Sequence, residues 1–212
     1  MKKLVLMLMA FCLTLTTANA QELTKQQAKT VKKEVSKKLK EFKKGGFEIF
    51  GSSRTLETVL TKHYTTLEIE GENVTEIVGF STAKSANLAA AAAQNSAANR
   101  YATTAGQLLK GRVLSDMASD VANQEAEFDK FYAAYEGKVQ QEIRGELRPS
   151  FSVKCNNPDG TISVQAFYLV NEKAASRARI KALEISKNES IAAQKYAQKV
   201  SDFVNERVVP AE

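Results

Sequence analysis

The sequence predicts an α+β fold, in which helices pack on a small antiparallel or mixed sheet. Three observations carry this. Phe151–Cys155 and Thr161–Val170 are β-rich runs on either side of Asn157-Pro158-Asp159-Gly160, a turn sequence. Val74–Phe80 reads as a further strand that contains a glycine. Directly after it, residues 85–106 hold ten alanines between Ala86 and Ala105, a composition that favours helix on propensity alone.

The 212 residues suffice for one large domain or a domain with added helices, and 43% hydrophobic with 25% charged residues is globular rather than disordered composition. Residues 1–20 read as a signal peptide. Lys2 and Lys3 precede the apolar run Leu4–Leu15, and Ala18-Asn19-Ala20 forms a cleavage box, so an exported and periplasmic chain beginning at Gln21 is expected. Cys12 follows Phe11, whereas lipoprotein processing needs a small residue there, so no lipid anchor is expected. Cleavage leaves Cys155 as the single thiol, without an intramolecular partner.

The formal charge of +6 is unevenly spread. Residues 21–50 carry nine lysines against four glutamates, and the rest of the mature chain is close to neutral. Within 21–45, residues 22–44 predict a basic amphipathic helix. Ala28, Val31, Val35, Leu39 and Phe42 form an apolar stripe, Thr24 caps the start, and Gly45-Gly46 stops it. Lys29, Lys32, Lys33, Lys37, Lys40 and Lys44 lie on the other faces, as candidate contacts to an anionic polymer or membrane surface. Phe42 is the only aromatic among them, which argues against specific nucleic-acid binding.

Residues 46–207 are expected to form a single α+β domain with a C-terminal helix, followed by a tail at 208–212. Phe47–Phe50 is a short strand. A helix follows over about 54–68, capped by Ser52 or Ser53, with Leu56, Val59, Leu60, His63 and Leu67 on one face. The alanine helix should start near Thr82 or Lys84, with Leu88, Ala91, Ala92, Ala98, Ala102 and Ala105 as its apolar stripe. Residues 108–120 lack clear periodicity and read as an extended connection. Val121–Ile143 returns to helix with an aromatic face at Phe128, Phe131, Tyr132 and Tyr135. In the hairpin, Cys155 falls on the apolar side, and Ala166–Val170 is apolar on both faces, as in a covered central strand. Asn171 caps the last helical region, which has a break near Lys187-Asn188-Glu189.

The strand EIVGFS (Glu76–Ser81), the alanine helix closing on NRYA (Asn99–Ala102), the Asp-Gly turn and the strand QAFYLV (Gln165–Val170) together resemble the LPP-type envelope lipoproteins and the related N-terminal domain of flagellar assembly protein T. The resemblance spans about residues 72–172 and implies an envelope interaction or structural module without catalytic residues. Lipid anchoring is not carried over, because the acylated cysteine of those lipoproteins has no counterpart.

Chemistry is sparse. One histidine, His63, rules out a His-rich metal centre and leaves a Cys/His zinc site short of ligands. Cys155 with His63 is a nucleophilic pair that would make a thiol hydrolase, set against two packed residues as the ordinary reading. Asp116, Asp120, Glu125, Glu127 and Asp129 have spacings common on solvated helices, and no phosphate loop or nucleophile elbow occurs. The expectation is a non-catalytic cell-envelope module without cofactor or metal, meeting an envelope protein partner; the alternative is an anionic polymer or membrane surface.

Overall fold

The structure, a computed structural model, describes residues 23–121 and 125–189 together with Gln194, Ser201, Val204 and Val208. Residues 1–20, expected to be a signal peptide, the side chains of Asp116, Asp120 and Glu125, and most of the chain after Glu189 lie outside the described residues.

The elements in order are α1 (Lys25–Lys44), β1 (Glu48–Phe50), α2 (Leu56–Glu70), β2 (Val74–Ala83), α3 (Ala86–Val121), α4 (Glu125–Arg144), β3 (Arg148–Asn156), β4 (Ile162–Asn171) and α5 (Glu172–Ser186). The four strands form one antiparallel sheet in the order β1-β3-β4-β2. The fold is α+β, as expected.

Helices cover both faces of the sheet. On one, Ile77, Val164, Ala166, Tyr168 and Val170 pack against α3, α4 and α5; on the other, Phe151, Val153 and Phe167 meet α1 and α2. Strand β4 is buried from Ala166 to Val170 because its alternating side chains enter two cores. Phe151 and Phe167, register partners on β3 and β4, stack with centroids 4.3 Å apart, and Phe42 meets both edge-on.

Local chemistry sets the helix ends. Thr24 and Gln27 form a reciprocal capping box on α1, and Gly46 leaves its end at φ +69°. Helix α2 is capped by Thr55, not by Ser52 or Ser53, because Thr55 Oγ1 is the oxygen that accepts from the backbone of Thr58. Asn171 caps α5, accepting from Lys173 N at 3.0 Å, and a short 3-10 turn at Lys187–Glu189 stands at the expected break. In the hairpin, Gly160 takes φ +79° and Asn157 Nδ2 donates to Thr161 and Ser163.

Two expectations are corrected. Residues 108–120 are helical, so α3 runs on to Val121. The reason is that Ala98, Ala102, Ala105, Leu109 and Val113 continue one buried stripe against α4. The expected apolar stripe of this helix holds in its second half, where Ala98, Ala102 and Ala105 are buried, but in its first half Ala89, Ala93 and Ala97 are buried instead of Ala91, Ala92 and Leu88, the last 61% exposed. The helix sits so close to β2 that a β-carbon on Gly79 would run into the main chain of Ala93 and Ala97, and Phe80 N donates to Ser96 Oγ at 3.4 Å.

Candidate functional site

Two features offer chemistry on the sheet face covered by α1 and α2. The first is the outer face of α1. With Val31, Val35 and Phe42 turned inward, a 100° step per residue places Lys25, Lys29, Lys32, Lys33, Lys37, Lys40, Lys43 and Lys44 in an arc of roughly 140° along about 30 Å of helix. All eight are exposed, and none is in an ion pair among the described residues. Glu34 and Glu41, the only acids of the helix, stand outside the arc, beside Lys38. Lys38 differs from the eight. It is paired with Glu41 at 3.2 Å, with its ammonium 5.5 Å from the Phe42 ring centroid. The six lysines expected as anion contacts therefore share one surface, and Lys25 and Lys43 complete it.

The second feature is buried. His63 on α2 is 1% exposed, and both ring nitrogens are engaged. Nδ1 lies 2.8 Å from Ser150 Oγ, and Nε2 is hydrogen-bonded to Glu76 Oε2. A carboxylate only accepts, so in the neutral imidazole Nε2 carries the hydrogen and the Nδ1 lone pair receives the Ser150 hydroxyl. Tyr64, Phe151 and Phe167 pack edge-on around the imidazole. Ser150 reaches the ring because the β3–β4 register skips between Pro149 and Phe151, a bulge that turns the serine toward α2.

The two partners of His63 open on different cavities. Glu76 lines one of about 350 Å³ with Lys37, Lys38, Tyr64, Phe80 and Arg100, so the lysine face reaches its rim. Ser150 lines the other, of about 460 Å³, with Arg54, Lys62, Glu70 and Arg148.

His63 and Cys155 are not brought together. The thiol is half-buried and donates to the Gly45 carbonyl at 3.4 Å, at the far end of β3 from Ser150. His63 thus meets Ser150 rather than Cys155, and Pro149, a residue that sheets tolerate at bulges, is the one local signal of this in the sequence. Glu127 and Asp129 are paired with Lys130 and Lys110, and no cluster able to hold a metal occurs among the described residues.

The remaining buried polar cluster ties the helices together. Arg179, 1% exposed, donates to Tyr101 Oη, to Glu172 Oε1 at 2.8 Å and to the Val204 carbonyl at 3.0 Å. Burial, together with the opposing pull of Arg179, leaves the Tyr101 phenol pushed up to about 12. This network fixes α5 and Val204 against α3.

No protein-family model, curated protein or solved structure matches the chain.

Proposed function

We propose that this protein is an exported cell-envelope interaction module that docks on an anionic polymer or membrane surface through the lysine face of α1. The observation that carries the reading is the contiguous, acid-free arc of exposed lysines without ion-pair partners among the described residues. On an ordinary solvated helix, acids spaced three or four residues away would neutralise much of such charge. Here the inward stripe is spent on the core, so the arc is presented as a rigid bar. Its ammonium groups suit a surface of many spaced anions rather than one small ligand.

The signal-like segment and the resemblance to envelope lipoproteins support the export compartment. A folded protein partner, the first expectation from sequence, has less support. Among the described residues, the large exposed apolar side chains Phe80, Leu88, Leu108, Leu114 and Ile185 are spread over β2, α3 and α5.

Co-sedimentation of the mature chain with phosphatidylglycerol vesicles, phosphatidylcholine vesicles and insoluble polyphosphate tests the reading. Retention on either anionic material, lost when Lys29, Lys33, Lys40 and Lys44 are changed to Gln, supports it; the two anionic arms separate membrane from polymer. Retention that ignores these changes refutes it. Charge neutralisation is a cleaner test than removing α1, which would uncover Phe151 and Phe167.

A further inference from the structure

We propose that Ser150, His63 and Glu76 form a nucleophilic site that hydrolyses carboxylic esters bearing an anionic group. This departs from the expectation of a chain without catalytic residues, and it is independent of the binding assigned to α1.

A serine hydroxyl becomes a useful nucleophile when a base touches it and a third group holds that base. His63 supplies the base, 2.8 Å from Ser150 Oγ, in the tautomer that leaves Nδ1 free to take the hydroxyl proton. Glu76 bonds Nε2 and offsets the positive charge the ring acquires. Which nitrogen faces the nucleophile is secondary, because such constellations are defined by geometry and role.

The surroundings fit the same roles. The three residues come from α2, β2 and β3, and the bulge directs the serine to the ring. Aromatic rings fix the imidazole and keep water from it, while Ser150 opens on a cavity of about 460 Å³ where a substrate can enter. Arg54, Lys62 and Arg148 line that cavity; Arg148 is held by Glu70 at 3.2 Å, and neither Arg54 nor Lys62 is in an ion pair among the described residues. These cations favour an anionic substituent and the negative charge that develops on the ester oxygen.

The chemistry balances without a further reactant. Ser150 Oγ bonds to the carbonyl carbon as its proton passes to His63 Nδ1. Collapse breaks the carbon–oxygen bond to the alcohol, which leaves with that proton. Water then attacks the acyl-serine, giving its proton to Nδ1, and Ser150 recovers it as the carboxylic acid departs.

The test uses the full mature chain with a fluorophosphonate probe, and with 4-nitrophenyl acetate and mono(4-nitrophenyl) succinate as neutral and anionic esters. The expected result is a probe adduct mapped to Ser150, and hydrolysis that favours the succinate by about tenfold through the cavity cations. Ser150→Ala leaves the buried His63 Nδ1 unpaired, so it should stay folded with a modestly lower melting temperature and lose both adduct and turnover. Glu76→Gln should lower kcat on the order of a hundredfold with KM little changed, the mark of a positioning residue rather than a packing one. Labelling that persists in Ser150→Ala, or a parent that is neither labelled nor faster than this variant, overturns the proposal.

Discussion

Gly79 lies so close to Ala93 that a β-carbon built on the glycine would stand 1.9 Å from the Ala93 carbonyl oxygen. Strand β2 and helix α3 thus meet backbone to backbone. The alanines of α3 make the approach possible from one side, and the missing side chain of Gly79 from the other.

Gly79→Ala should therefore destabilise the protein by about 3 kcal/mol or more, because the opposing atoms are main chain and cannot rotate away. Gly111→Ala, in the exposed part of the same helix with nothing within 4 Å, should instead stabilise by up to about 1 kcal/mol. Denaturant melts of the two variants check the contrast in sign.

Arg179 and Lys181 give a second contrast, two residues apart on α5. Arg179→Met strands the buried Tyr101 hydroxyl and Glu172 carboxylate, and should cost about 3–5 kcal/mol. Lys181 pairs with Glu142 at 2.7 Å, but its side chain is 60% exposed, and Lys181→Met should change stability by less than about 1 kcal/mol. Equal losses in thermal melts would contradict the account of the buried cluster.

Alkaline pH probes the same core. Burial holds the Tyr101 and Tyr132 phenols up to about 12, from an ordinary value of 10.0. A group whose pKa is raised on folding stabilises the fold fully below its unfolded value, and loses that contribution as pH rises through its folded value. Stability should thus hold to about pH 10 and fall between 10 and 12, by about 2–3 kcal/mol for Tyr101 alone. Tyrosinate absorbance and denaturant midpoints followed together check this. Folded-state titration of these phenols near pH 10 would contradict it.

Much of the fold could be read because local signals agreed with the global arrangement. The Asn-Pro-Asp-Gly turn gave the hairpin, and Ala166–Val170 gave a strand covered twice. Residues 108–120 misled because Gly106 and Gly111 weaken helix propensity. Yet Leu109 and Val113 continue the spacing of Ala102 and Ala105, and following that stripe past Gly106 would have recovered the helix. Gly106 itself lies 3.2 Å, by its would-be β-carbon, from a Glu136 carboxylate oxygen, so it serves the approach of α4 rather than a break. The lysine face was legible because it depends on one helix. The Ser150–His63–Glu76 constellation was not: its members are 13 and 87 residues from the histidine, and a bulge aims the serine.

The most direct test of the binding role is a titration of the mature chain with soluble polyphosphate across a range of salt concentrations. If the α1 lysines make the contact, log Kd should rise linearly with log salt, and changing Lys29, Lys33, Lys40 and Lys44 to Gln should lower that slope by about three. An affinity indifferent to salt, or the parent slope kept in the four-lysine variant, would contradict the assignment of α1 as the anion-binding surface.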